Sequence, residues 1–125
     1  MLVSEQEITE LKNFIFQLNS MENGVVVVEG KRDSIALKKL GYSGKILEFH
    51  RFGGMVDFTD SVAKYRNLII LFDRDKKGRY LTGKTIQLLQ RRTKVDLSFK
   101  RNLREITKGK IRFIEQLVCY ESYLA

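Results

Sequence analysis

Residues Leu68 to Gly78 read LIILFDRDKKG, and the organisation of the chain follows from them. Five consecutive apolar residues, Leu68 to Phe72, have the length and composition of a strand buried on both faces. The run then stops in Asp73, Arg74 and Asp75, ahead of Gly78. One other stretch shares this grammar: Val25 to Val28 is four valines followed by Glu29 and Gly30. In an open parallel sheet the C-terminal ends of the strands share one edge, and ligands bind in the crevice outside it. Glu29, Asp73 and Asp75 are therefore expected to converge.

Working outward, 125 residues make one ordinary domain, with room for one core and no linker, repeat or low-complexity tract to divide it. With 43% apolar and 30% charged residues the composition is globular, and no apolar run approaches the length that spans a bilayer, so no membrane partner is expected. The opening MLVSEQEITEL is acidic and amphipathic, unlike a secretory leader, which points to the cytoplasm. Cys119 is the only cysteine and has no disulfide or metal-site partner; it is expected in or beside the core. The net charge of +8 is uneven. Residues 74–112 hold fourteen Lys and Arg against three acids, a balance of +11, and the rest of the chain is at −3. Such a segment suits a polyanion, because neutralising phosphates releases counterions; the competing reading is a solvated face.

Local patterns supply the other elements. Ser4 and Glu7 form a capping-box pair opening a helix with Ile8, Leu11, Ile15 and Leu18 inward. After the first strand, Asp33 or Ser34 caps a second helix with Ile35, Ala36, Leu37 and Leu40 inward, stopped by Gly41. Lys45 to Phe49 reads as the second strand, opening on His50, Arg51 and the Gly53-Gly54 pair; there Arg51 meets a phosphate, or the glycines only turn the chain. Asp57 to Lys64 is a short helix. Arg79 to Arg92 is a basic amphipathic helix, Val95, Leu97 and Phe99 alternate as an edge strand, and Ile111, Ile114, Leu117 and Val118 mark a closing helix. The expected architecture is a three-layer, Rossmann-like α/β sandwich on a mainly parallel four-stranded sheet.

Three acids on one edge call for compensation. At about 5 Å and an effective dielectric near 20, each ionised pair repels by roughly 3 kcal/mol. A divalent cation is one answer, since magnesium takes one or two carboxylates plus waters and substrate phosphates, and the spacing of Asp73 and Asp75 allows it. Ion pairs from Arg74, Lys76 or Lys77 are the other.

The two motifs together, VVVVEGKRD and, some forty residues on, LFDRDKKG, resemble the Toprim domain of topoisomerases, bacterial-type primases, OLD-type nucleases and the nucleases that mature 5S ribosomal RNA. The likeness covers about residues 24–100, and nearly the whole chain is similar to the small stand-alone Toprim proteins of archaea. It implies that Glu29 acts as general acid or base and as a metal neighbour, that Asp73 and Asp75 hold magnesium, with manganese as a substitute, and that Gly30 and Gly78 are turn glycines. Lys77 stands where topoisomerase members carry a third acid, and none of Tyr80, Tyr120 and Tyr123 is marked as a cleaving nucleophile. DRDKKGR is more similar to the primase and nuclease forms, in which a neutral residue stands at the third position and, in primases, an Arg follows the Gly at the place of Arg79; no Cys/His cluster supplies the zinc module of a primase.

The expectation is magnesium-dependent phosphodiester chemistry on RNA or DNA, a nuclease, with Lys31, Arg32, Lys76, Arg79 and Lys84 as phosphate contacts. The alternative is a non-catalytic nucleic-acid-binding or adaptor module that retains the metal site. A protein partner or a homodimer would supply grip that so small a chain lacks.

Overall fold

A computed structural model describes residues 2–124. The first helix, α1 (Glu5–Asn19), leads into β1 (Gly24–Val28), α2 (Lys31–Lys39), β2 (Ile46–Glu48), α3 (Met55–Val62), β3 (Asn67–Ile70), α4 (Lys76–Leu89), β4 (Lys94–Asp96) and α5 (Ser98–Ile106). A 3₁₀ turn at Phe49–Arg51, a longer one at Ile114–Tyr120 and a short α6 (Glu121–Leu124) complete the chain. The four strands form one all-parallel sheet in the order β2-β1-β3-β4. Expected and observed architecture agree: a Rossmann-like α/β sandwich.

Period-two alternation in the two central strands divides the core. Val26, Val28, Ile69 and Leu71 face a cluster with Leu11 and Phe14 of α1, Leu37 of α2, Phe99 and Leu103 of α5, and Tyr120. Val25, Val27, Leu68, Ile70 and Phe72 face the other layer, where Phe58 and Val62 of α3 and Leu81 and Leu89 of α4 pack. Both strands are buried on both faces, which is why they read as uninterrupted apolar runs. Because β2 lies on one side of β1 and β3 on the other, the strand order reverses between β1 and β3. That reversal is the switch point at which ligands of such sheets bind.

Several local expectations are corrected. The second strand is shorter than Lys45 to Phe49, since the chain turns into the 3₁₀ segment after Glu48. β4 ends at Asp96 because its carboxylate accepts from the Ser98 N–H at 2.8 Å and turns the chain into α5; Phe99 is therefore a helix residue, edge-on to Phe14 at 5.8 Å. The helix expected over Asp57 to Lys64 is α3, two residues earlier. The basic helix starts three residues earlier than Arg79, at Lys76, and ends at Leu89. The closing segment is mostly 3₁₀, leaving Val118 and Cys119 exposed instead of inward or beside the core. Ile35, expected inward, is 40% exposed.

Capping differs too. Ser4 accepts from the Glu7 N–H at 3.1 Å as expected, but the Glu7 carboxylate does not reach back. It is buried and taken by Lys110 Nζ at 2.8 Å and by the Tyr120 hydroxyl. The residue preceding α2 is Gly30, not Asp33 or Ser34; Asp33 lies in the first turn and accepts from the Gly30 N–H at 3.1 Å. Gly41 has φ +108° and ends α2 as expected.

Candidate active site

β1 delivers Glu29 and β3 delivers Asp73 to the same edge, at the reversal of strand order. The Asp73 N–H donates to Glu29 Oε2 at 2.8 Å, so the two ends are tied together through the carboxylate. Asp73 Oδ1 accepts from the Ile114 N–H at 2.7 Å. Asp75 is the residue that caps α4, its Oδ1 accepting from the Gly78 N–H at 2.7 Å. Each carboxylate thus has one oxygen anchored on a backbone amide, and in each the second oxygen has no hydrogen-bond donor among the described residues.

Gly78 sits inside the first turn of α4, so it is a helix residue and not a turn glycine. A Cβ there would lie 1.9 Å from the Asp73 carbonyl oxygen, and no side chain fits between the helix and the motif. Gly30 is different: its backbone is extended, and a Cβ would meet only His50 Cδ2 at 3.9 Å.

The acids perturb one another. Burial first, then the Glu29 carboxylate and the charge of Asp75, push the Asp73 carboxyl up to about 7 against the opposing Ile114 N–H. Asp33, buried below them, is pushed up to about 6 by burial and by the charge of Asp73. Asp33 is a fourth acid of this site; its capping position in the sequence concealed that. Among the described residues no group of three or more His, Cys, Asp and Glu is drawn together closely enough to enclose a metal by itself. The donor set does fit a hard cation of the magnesium type, which binds through one or two carboxylates and keeps water in its other positions. Asp73 and Asp75 are two such carboxylates, and Glu29 is tied to Asp73 through its backbone N–H.

Among the described residues no cation forms an ion pair with these acids. Arg74 turns away, its guanidinium donating to the carbonyls of Ile111 at 3.1 Å and Gly109 at 3.5 Å. Neither Lys76 nor Lys77 forms an ion pair among the described residues; both are exposed at the start of α4. Lys100 of α5 was not singled out in the sequence, yet it is half-buried and lies in the field of Glu29 and Asp73. Its Nζ donates to Thr82 Oγ1 at 3.3 Å. Burial lowers its pKa, and Arg74 and Arg79 add to that shift while the two acids oppose it.

The five expected phosphate contacts separate. Lys31 and Arg32 are exposed at the start of α2, Arg32 being 3.8 Å from Glu115. Lys76 and Arg79 flank the acids at the start of α4. Lys84 lies about 12 Å farther along that helix at 1.5 Å per residue, away from them. Arg79 instead joins Arg74, Lys100, Arg101 and Arg104 around one cavity of about 250 Å³. Arg101 and Arg104 lie on α5, a helix of nine residues that the edge-strand reading of Val95, Leu97 and Phe99 does not anticipate. Phe99, Leu103 and Ile106, spaced by four and three, carried the signal.

The remaining candidates have structural partners. His50 Nε2 and Arg51 Nε meet Glu48 Oε1 at 2.9 and 2.8 Å, and these contacts, Arg51 foremost, hold Glu48 down to about 2. The Gly53 N–H donates to Asp57 at 2.7 Å and Gly54 has φ +103°, so this loop turns the chain into α3 and Arg51 is occupied by Glu48. Tyr120 is buried against Glu7, which leaves it unsuited to nucleophilic attack.

No helix among the described residues is long and apolar enough to cross a membrane. No protein-family model matches the chain. A UPF0292 protein of Thermococcus sibiricus is 37% identical over 121 residues, covering 96% of this chain and 87% of that one. One from Pyrococcus abyssi is 36% identical over 82% of this chain and 76% of its own length, and one from Methanosarcina barkeri is 31% identical over 96% and 81%. Among solved structures, a putative protein from Aquifex aeolicus superposes with a TM-score of 0.69 at 29% identity, covering 85% of this chain and 96% of that one. By its likeness over nearly its full length to these archaeal proteins, the chain belongs to the UPF0292 family.

Proposed function

We propose that this protein is a Toprim-type nuclease: it cleaves phosphodiester bonds of RNA or DNA with a magnesium or manganese ion at the β1/β3 edge. One observation carries the reading. Glu29 and Asp73 are anchored side by side at the switch point with Asp75 near them and no ion pair to any of the three among the described residues, and burial together with the neighbouring acids raises Asp73 to about 7. Asp73 and Asp75 would hold the ion, which when bound polarises the scissile phosphate. Glu29 keeps one oxygen on the Asp73 N–H, which fixes its orientation, and offers the other to take a proton from the attacking water. Water adds to phosphorus, the bond to the departing sugar oxygen breaks, and that oxygen takes up a proton. Lys76, exposed directly after Asp75 at the start of α4, is placed to meet the scissile phosphate and balance its charge.

The second reading, a nucleic-acid-binding or adaptor module, has its own observation: no three acids are gathered into a closed metal site among the described residues. Incubation with single- and double-stranded RNA and DNA, with magnesium or manganese against chelator, separates the two. Cleavage that needs the metal and disappears in Asp73→Asn/Asp75→Asn is the expected result. Metal-independent binding of the whole panel without cleavage supports the module instead.

A further inference from the structure

Arg74, Arg79, Lys100, Arg101 and Arg104 line one concave space of about 250 Å³ between the start of α4 and α5. All five lining residues are cationic, and among the described residues none forms an ion pair. They are near enough to perturb one another: Arg74 is lowered by burial and by the charges of Arg104, Arg112 and Arg79. The walls are also set in advance. Arg74 is held by two backbone carbonyls, Arg79 Nη1 donates to the Arg74 carbonyl at 3.2 Å, and Lys100 is held on Thr82. The cost of holding like charges together falls when an anion enters, and a preset site loses little side-chain freedom on binding.

We propose that this cavity receives a terminal phosphate of a nucleic-acid strand and so places that end of the strand beside the acid edge. The assignment deepens the nuclease reading and rests on it for the strand. An internal phosphodiester carries a single charge, whereas a terminal phosphomonoester carries about 1.5 to 2 negative charges and three acceptor oxygens. Five cations around one small cavity suit the multiply charged group; cations tracking a strand would lie in a line along its backbone. Its lining side chains are all cationic where usual organic-ligand pockets are mostly apolar, which fits an anion. Lys100, one wall of the cavity, lies in the field of Glu29 and Asp73, so an end held here brings the adjoining nucleotides to the carboxylates.

Binding in excess chelator tests this apart from the metal. One oligonucleotide is prepared with a 5′-phosphate, a 3′-phosphate or hydroxyl ends, and inorganic tripolyphosphate serves as competitor. One phosphorylated form should bind about tenfold more tightly than the hydroxyl form, and tripolyphosphate should displace it. In Arg101→Gln/Arg104→Gln, two exposed positions whose folding is checked by circular dichroism, the preference should fall toward unity. Asp73→Asn/Asp75→Asn should keep it. Equal affinity for all three forms overturns the proposal, and displacement by tripolyphosphate without any end preference would assign the cavity to a free oligophosphate instead. A preserved end preference with no cleavage in magnesium would defeat the nuclease reading and leave the phosphate site standing.

Discussion

Glu7 and Asp73 are both withdrawn from water, and the chain treats them in opposite ways. Burial drives the Glu7 carboxyl up, but the Lys110 ammonium and the Tyr120 hydroxyl bond to it and bring its pKa below the usual value. Asp73 accepts from one backbone N–H, and the charges that act on it most are those of acids, Glu29 and Asp75, with Asp33 also in its field. Proximity of cations does not explain the difference. Fourteen Lys and Arg lie between residues 74 and 112, and Arg74 adjoins Asp73 in sequence yet points at carbonyls instead. A fold that places a lysine on Glu7 from 103 residues away leaves the conspicuous acid pair without one. The first site is compensated within the chain, whereas the acid edge has no ion-pair partner among the described residues.

One substitution made at both places gives the largest contrast. Glu29→Gln keeps an oxygen to accept the Asp73 N–H, so the fold should hold while the proton acceptor is lost. Cleavage should fall by about 10² to 10⁴-fold with metal affinity within a few-fold. Titration calorimetry beside the activity assay checks both halves. Joint loss of metal binding and cleavage would make Glu29 a ligand, and unchanged cleavage would remove it from the chemistry.

Glu7→Gln should do the reverse, leaving cleavage near wild type and lowering stability. Hydrogen bonds to a charged group are each worth about 1.5 to 3 kcal/mol, and partly exposed Lys110 can turn to water, so the expected loss is about 2 to 3 kcal/mol by urea denaturation. A change below about 0.5 kcal/mol, the scatter of ordinary surface substitutions, would mean that the buried pair contributes only specificity.

Which parts were legible from sequence follows from the range of the interactions. Val25 to Val28 and Leu68 to Phe72 announced themselves because both faces of each strand are buried, and a parallel sheet then places Glu29 and Asp73 at one edge. The capping roles of Ser4 and Gly41 are local and were equally readable. Asp75 as the cap of α4 was hidden by its neighbours, since DRDKKG reads as a turn until Gly78 is seen to admit the helix against the Asp73 carbonyl. The pairing of Glu7 with Lys110 and Tyr120, and the meeting of Arg74 and Arg79 with Arg101 and Arg104, depend on how α1, α4, α5 and the C-terminal turn pack. No spacing in the chain records such contacts.

The smallest effect is the most direct test of the contrast, because the two carboxylates should pull stability in opposite directions with pH. The Glu7 pKa is lower in the folded state than in the unfolded chain, so between its folded value and about 4.5 the unfolded chain binds more protons and stability rises with pH. Asp73 and Asp33 go from 3.8 to about 7 and about 6, so from near pH 4 upward the folded state holds the extra protons and stability falls as pH rises, levelling off above about 7. In chelator, wild type should be less stable at pH 7.5 than at pH 5, by on the order of 1 kcal/mol once solvent screening of this open edge is allowed for. Asp73→Asn should remove most of that difference by stabilising the protein at pH 7.5, and added magnesium should do the same to wild type by binding only the folded site. Urea denaturation of both proteins at the two pH values, with and without magnesium, reads all of these. A wild-type protein equally stable at pH 5 and 7.5 would mean that the acid edge is already compensated within the chain, and the contrast with Glu7 would fail.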